Sequence, residues 1–338
     1  MIESSKRPLV TFALFGYNQE KYIREAIEGA FAQDYSPLEI IFSDDCSTDR
    51  TFEIMQEMAA MYEGPHRVLA RKTKVNKGFL QHIAEVVELA HGELLIMAAG
   101  DDVSKNNRTD VLVSAWLVSG AWGLCSRYDR IDAIGNVLES AVASEVLDGR
   151  GFRNFFYEEE GPVRIVHGCS SAYDIRVFHY LKLQSTDFIL AEDGAMSVLL
   201  NLLGKEIVNL DDSLVLYRES YGSLTNYQSK SSISFEQIIE DEKRIEWFAR
   251  AQANRCQLYL RMNKYLGAAQ ARKMKVEEVR NELKCETIRS EWRTITFSRR
   301  LAFAFENPKL TWVWPRLFGL NIFYIIKWLS RQFSGRAT

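Results

Sequence analysis

Cysteine is scarce and carries no pattern. Cys46, Cys125, Cys169, Cys256 and Cys285 are odd in number, and no two are close in sequence. This excludes a disulfide framework and the paired spacing of a zinc site, and it points to a reducing, cytoplasmic setting. The histidines His66, His82, His91, His167 and His179 also lack ligand spacing. There is no excess of basic charge: the net charge is −3, which gives no footing for nucleic acid. No window reaches the ~18 uninterrupted apolar residues of a membrane span. The longest apolar candidate, "LFGLNIFYII" (317–326), is bracketed by Arg316 and Lys327. The opening "MIESSKRPLVTF" is too short and polar for a signal peptide. Internal repeats and low-complexity tracts are missing as well.

What is present is a regular alternation. "LVTFALF" (9–15), "LEIIFS" (38–43), "RVLA" (67–70) and "ELLIMAA" (93–99) read as strands. Between them, 20–33, 51–61 and 78–90 read as helices, with Tyr22, Ile23, Ala26, Ile27, Ala30 and Phe31 on one stripe. Ser47, Thr48 and Asp49 are candidate caps for the second helix. Such alternation predicts an α/β fold with a mostly parallel sheet flanked by helices. Further on, 122–140 suggests two strands around a Gly-Asn turn, and "HGCSSAYD" (167–174) a short buried strand. "EDGAMSVLLNLLG" (192–204) reads as a helix stopped by Gly204, and "EIVNL" with "SLVLYR" as a closing pair of strands. After about Ser231 the chain turns charged and helical to about Ser290. The expected division is therefore a domain over 1–230 and a helical extension over 231–338.

Ligands in such sheets gather at the carboxyl ends of strands, where Asp44, Asp45, Asp101 and Asp102 all fall. Two adjacent aspartates repel each other, and burial adds to the cost. The pair is favourable if a divalent cation bridges it to a ligand; all-oxygen donors suit Mg²⁺ or Mn²⁺. The bland alternative is that Asp101 caps the next helix and Asp102 is solvated. "FSDDCSTDRT" (42–51) is a second acidic pair at a strand end, suited to a base imide or to an Asx turn. "LFGYNQEKY" (14–22) ends the first strand in residues that suit a flat ring, or a plain helix entry.

Taken in order, these segments resemble the family 2 glycosyltransferases, which have the GT-A fold. The run "PLVTFALFGYNQEKYIREAIEGAFAQDYSPLEIIFSDDCSTDRTFEI" is similar to the family's opening. "NKGFLQHIAEVVELAHGELLIMAAGDD" resembles its Asn-x-Gly segment and a variant of its metal-binding Asp-x-Asp motif. "HGCSSAYD" and "LAEDGAMS" resemble its sugar-side strand and Glu-Asp pair, and "YRESYGSLT" its closing segment. The likeness covers roughly 8–226. It implies that Phe15, Tyr17 and Asp45 line the nucleoside site, with Asp45 receiving a uracil or thymine imide. Asp44 would shape the adjoining turn. Asp102 is the implied metal ligand, with Asp101 on ribose or the ion. Asp193 is the implied general base, assisted by Glu192, while Gly168, Cys169 and Ser170 border the donor sugar. The chain departs from the family at Ala99 and Gly100, where an Asp is common, and at Ser220, where many members have His. Tyr217, Arg218 or Tyr221 would substitute for that His, and Arg218 is the charged candidate for the phosphates.

The resemblance thus implies an inverting, Mn²⁺- or Mg²⁺-assisted enzyme. It would move a sugar from a nucleotide-diphosphate donor, UDP first and dTDP next, to a glycan or lipid-linked acceptor in polysaccharide or cell-surface glycan synthesis. The rival is a catalytically silent nucleotide-sugar-binding protein of the same fold. A nucleotidyltransferase is disfavoured, because residues 9–20 lack a Gly-rich phosphate loop and a basic residue at its end. From Arg289 onward nine Lys/Arg stand against two acids, so the tail carries +7 and the remainder −10. "WVWPRLFGLNIFYIIKWLSRQF" suggests a peripheral contact with the cytoplasmic membrane face, or a helix packed on this chain or in a homo-oligomer.

Overall fold

The computed structural model describes residues 7–142, 157–158, 163–219 and 235–310, together with 313 and 317. The described residues form two compact units, those within 1–226 and 258–279 and those within 227–257 and 280–338.

The first unit is built on a nine-stranded sheet. Its strands are β1 (Val10–Gly16), β2 (Leu38–Asp44), β3 (Arg67–Lys72), β4 (Leu94–Ala99), β5 (Val103–Ser104), β6 (Gly123–Ile131), β7 (Val137–Val142), β8 (Ser171–Asp174) and β9 (Ile207–Arg218). The spatial order is β3-β2-β1-β4-β8-β6-β9-β5, with β7 paired to β6. β3, β2, β1, β4, β6 and β9 run one way, and β8, β5 and β7 run against them. This is the mostly parallel α/β sheet that the alternation predicts. The helices are α1 (Ile23–Phe31), α2 (Thr51–Ala60), α3 (Phe79–Val87), α4 (Arg108–Ser119) and α5 (Glu192–Leu202).

β1 and β2 are buried along their whole length, which is why they read as largely apolar runs rather than as alternation; two exceptions, Thr11 and Glu39, hydrogen-bond to each other at 2.6 Å. Phe12 and Leu14 face a core shared with Ile23, Ile27, Phe42, Ile96 and Trp116. Phe15 points to the other face, edge-on to Phe79 and His82 of α3. Registers Phe15↔Ser43 and Phe15↔Ala99 bring the ends of β1, β2 and β4 level, so Tyr17, Asp45 and Gly100 emerge along one edge.

Two expected elements differ. "EIVNL" and "SLVLYR" are one strand, β9: Leu210 pairs with Ser126 and Ser213 with Arg127, so Asp211 and Asp212 bulge out without breaking the ladder. "HGCSSAYD" opens as a 3₁₀ turn over Gly168–Ser170, and only Ser171–Asp174 is strand. None of Ser47, Thr48 and Asp49 is the N-cap of the second helix: that position is Arg50, without a side-chain cap, and Asp49 accepts the Thr51 N–H at 2.9 Å in the turn just before it.

Beyond β9 come α6 (Phe235–Leu266), α7 (Val276–Ser290) and α8 (Phe297–Glu306). The second unit has a small core of Ile288, Trp292, Ile295, Phe303, Ala304, Val313 and Leu317. Arg293 pairs with Glu246 at 2.6 Å. The aromatic tail over 310–333 lies outside the described residues except for Leu310, Val313 and Leu317, and Ser220 and Tyr221 also lie outside them. Among the described residues no helix is long and apolar enough to cross a membrane.

Candidate active site

The Gly-Asp-Asp corner turns directly off β4. A Cβ on Gly100 would sit 2.5 Å from the Gln19 Oε1 and 2.8 Å from the Ile23 Cδ1, so any side chain at this position requires both of those side-chain ends to move. The Asp102 N–H returns to the Ala99 carbonyl at 3.2 Å, which closes the turn. Asp102 is 5 % exposed, and its Oδ1 accepts the Arg218 backbone N–H at 2.9 Å. Burial raises its pKa well above the carboxylate range, and the neighbouring Asp101 charge adds to the effect. Burial raises Asp101 too, against the Arg218 charge and a Gln19 hydrogen bond.

Two cations stand close, and both are committed. Arg218 is buried. Its Nε donates to the Asp101 carbonyl at 2.9 Å, Nη1 to the Ala133 carbonyl at 3.2 Å, and Nη2 to Glu25 at 2.5 Å. Its guanidinium also lies 4.9 Å from the Tyr22 ring centre. Arg218 thus ties β9, α1 and the Asp101–Asp102 turn together, and these bonds compete with any phosphate contact. Arg108, the first residue of α4, is fully buried and donates to Ser104 Oγ at 2.8 Å and to the carbonyls of Met97 at 2.7 Å and Cys169 at 3.3 Å. Burial lowers its pKa to about 10.

The donor set fits a hard divalent cation: two carboxylates that burial alone disfavours as anions, at a strand end, with oxygen donors only. Among the described residues no group of three or more His, Cys, Asp or Glu side chains could hold a metal by itself. A cation here would share its coordination with diphosphate and water, as Mg²⁺ commonly does.

On the nucleoside side, Asp45 is 5 % exposed, and its carboxylate accepts Thr73 Oγ1 at 3.0 Å and the Lys77 N–H at 3.1 Å. Burial raises its pKa against those hydrogen bonds. Asp44 is fully buried and binds the Ser47 N–H at 2.8 Å and the Ser47 hydroxyl, the turn-shaping position expected of it. Tyr17 is 47 % exposed at the end of β1. Phe15 is 4 % exposed, so its ring forms the floor under this edge rather than an open wall.

Across β8, Gly168 and Cys169 are half-buried, whereas Ser170 is buried with its hydroxyl donating to the Ser126 carbonyl at 2.8 Å. Glu192 opens α5 at 2 % exposure with Oε1 unpartnered. A Cβ on Gly168 would lie 2.9 Å from that oxygen, so only glycine lets the carboxyl approach. Burial, then the Asp193 charge, raises the Glu192 pKa to about 8. Asp193 is partly exposed, and its Oδ1 accepts the Gly194 N–H at 2.6 Å.

The raised Glu192 pKa has a measurable sign. The folded state keeps a proton that the unfolded chain loses near pH 4.5, so this group lowers stability as pH rises from there to about 8. Glu192→Gln removes the titration. Its unfolding midpoint is expected to fall less than that of the parent between pH 5 and 8 in parallel denaturant titrations; identical slopes would assign the dependence elsewhere.

A family model, glycosyl transferase family 2, matches residues 15–181 of this chain. That segment, about half of the chain, is a family 2 glycosyltransferase domain. An uncharacterized protein of Mycobacterium tuberculosis is 44 % identical over 87 residues, 25 % of each chain, so the match spans about a quarter of that relative. The Streptococcus pneumoniae glycosyltransferase GlyG is 26 % identical over 216 residues, 62 % of this chain and 70 % of that one. Among solved structures, residues 1–349 of Staphylococcus aureus TarS superpose with a TM-score of 0.51 at 14 % identity, covering 97 % of this chain and 81 % of that one. The same TarS segment in complex with UDP gives 0.50 at 15 % identity, covering 93 % and 79 %. At these identities the GT-A-like fold is what is shared.

Two groups at this edge escaped the sequence reading. Arg108 follows "KNN" and looks like an ordinary helix start; its burial depends on β8 arriving from about 60 residues further along the chain. Tyr128 sits mid-strand in β6 with no motif around it.

Proposed function

We propose that this chain is an inverting glycosyltransferase that moves a sugar from a nucleotide-diphosphate donor to an acceptor hydroxyl, with Asp193 as general base. The observation that carries the reading is one sheet edge with three chemistries: an acceptor carboxylate at Asp45, a buried carboxylate pair at Asp101–Asp102, and an acid pair at Glu192–Asp193. Asp45 suits the imide N–H of uracil or thymine, and Tyr17 suits a flat base. That favours UDP, with dTDP next; TarS, of similar fold, has been solved with UDP.

Asp102, with Asp101, would hold Mn²⁺ or Mg²⁺. Such a cation supplies Lewis-acid stabilisation of charge on the departing diphosphate. Asp193 takes the proton of the incoming hydroxyl. Glu192 keeps a proton at neutral pH and sits against Gly168, so it fixes the start of α5 without adding a second negative charge beside the base. Gly168 and Cys169 border the transferred sugar, and Ser170 anchors that border to β6. Arg218 acts here as the clamp of the Asp101–Asp102 turn. The acceptor would be a glycan or lipid-linked saccharide, the location cytoplasmic. The catalytic part is assigned to 1–230, and the extension 231–338 to peripheral membrane or self-association.

A thermal-shift screen of UDP- and dTDP-sugars with and without Mn²⁺ tests the reading. A ligand at 100 times its Kd stabilises the folded state by about 2.7 kcal/mol, and so raises the midpoint by about a few degrees. The expected result is a rise with one nucleotide series, larger with Mn²⁺. No rise with any nucleotide would remove the proposal.

A further inference from the structure

The carboxyl edge carries an aromatic corner whose three rings have no joint role in the family motifs. Tyr128 of β6 and Tyr217 of β9 rise at the same edge as Asp101 and Asp102, because β6 and β9 run parallel to each other and in the direction of β4. Tyr128 stacks on His167, with ring centres 5.0 Å apart and planes 13° from parallel. Tyr217 stands edge-on to Tyr128 at 5.3 Å and 61°. It also lies 6.4 Å from His167 at 74°. All three rings are half-buried.

His167 is held in place from behind. Its Nδ1 lies 3.1 Å from the Cys169 Sγ. Burial keeps the Cys169 thiol protonated and the His167 ring neutral. The two neutral groups share that one hydrogen bond, which fixes the plane of the imidazole.

The corner touches both ends of the reaction path. Tyr217 immediately precedes Arg218, whose N–H binds Asp102. His167 is within electrostatic reach of Asp193. In an inverting transfer only one ring must lie between the diphosphate and the base, and that is the sugar being transferred. Aromatic faces bind the C–H face of a pyranose by burying apolar area. The charged carboxylate beside the corner is Asp193, next to the protonated Glu192, while Arg108, Arg218 and Arg130, the register partner of Tyr217, are turned to their own partners.

We propose that Tyr128, His167 and Tyr217 form a stacking wall for the transferred sugar of the donor and select an uncharged hexopyranose over a uronate. The inference rests on the glycosyl-transfer reading and deepens it. Discrimination then comes from Tyr128 in mid-β6 together with His167 and Tyr217 of the motif segments, and one family scaffold can change its sugar by changing these rings.

The test is calorimetric titration of the full chain with Mn²⁺. The probes are UDP and dTDP alone, and their esters of glucose, galactose, N-acetylglucosamine and glucuronate. The unaltered protein is expected to bind one neutral sugar nucleotide more tightly than its free nucleotide, and the glucuronate ester no more tightly. Tyr128→Leu and Tyr128→Ala should keep nucleotide affinity within about twofold and lose about fivefold to tenfold of the sugar increment, with Tyr128→Trp restoring it. Unchanged nucleotide binding also serves as the check that the variants are folded. If Tyr128→Leu keeps the whole increment, or if the glucuronate ester is preferred, the wall is wrong and the glycosyl-transfer reading stands. If the unaltered protein binds no nucleotide, the glycosyl-transfer reading fails first.

Discussion

Asp193→Asn is expected to abolish transfer while leaving donor affinity within about twofold. A general base contributes about 10²–10⁴-fold, and the amide cannot take the proton. The two acids at the start of α5 are not interchangeable. Glu192 is 2 % exposed and packed against Gly168, whereas Asp193 is partly exposed and able to meet an incoming hydroxyl. The substitution is gentle to the fold, because an amide oxygen can still accept the Gly194 N–H now bound at 2.6 Å. The measurement is single-turnover transfer from a radiolabelled sugar nucleotide, beside calorimetric donor binding. A parallel loss of both would make Asp193 a structural residue, and retained turnover would move the base elsewhere. Glu192→Gln is the companion: it keeps a hydrogen-bond donor where the parent has a protonated acid, so it should retain most activity at pH 7.

The first half of the fold is legible because its strands are buried on both faces. β1 and β2 are buried throughout and largely apolar, and the helix between them carries a clean stripe of Ile23, Ala26, Ile27 and Ala30. Legibility drops after β4. α4 buries Arg108 and Thr109 along with Leu112, Val113 and Trp116, so its apolar stripe is interrupted by charge. β5 has only two residues. β9 looks like two strands because Asp211 and Asp212 bulge from it, and a bulge is invisible without the partner strand.

The candidate site divides the same way. Residues in local motifs, such as Asp44, Asp45, Asp101, Asp102, Glu192 and Asp193, stand out by their clustering at element ends. Arg218 stands out too, but its use does not: only the folded chain puts Glu25 and the Asp101 carbonyl around its guanidinium. The burial of Phe15 was equally hidden, since it depends on Phe79 and His82 from α3. His82 itself is a core residue. It sits 2.5 Å from Ser43 Oγ, and burial pushes its pKa down to about 3, so it is neutral throughout the physiological range.

Removing the Asp102 carboxylate should separate metal-dependent from metal-independent binding. In the unaltered protein UDP is expected to bind more tightly with Mn²⁺ than with EDTA. In Asp102→Ala that difference should vanish, and turnover should fall by about 10²–10³-fold, the usual cost of losing charge stabilisation on a leaving group. The alanine has a second effect. It leaves the buried Arg218 N–H, now 2.9 Å from Asp102 Oδ1, without an acceptor, which costs about 1–3 kcal/mol of stability. Asp102→Asn keeps an oxygen for that N–H while giving up the charge, so it separates the two effects. The asparagine variant should melt near the parent temperature yet be as insensitive to Mn²⁺ as the alanine. Arg218 bears on the outcome as well: its backbone N–H occupies one lone pair of Oδ1 and its side chain pins the Asp101 carbonyl, so the carboxylate is fixed before any ligand arrives. A preset carboxylate loses little freedom on binding, which favours a strong Mn²⁺ effect on UDP affinity over a weak one. Equal UDP affinity with Mn²⁺ and with EDTA in the unaltered protein, together with full activity of Asp102→Asn, would mean that this buried pair serves the turn between β4 and β5 rather than a cation.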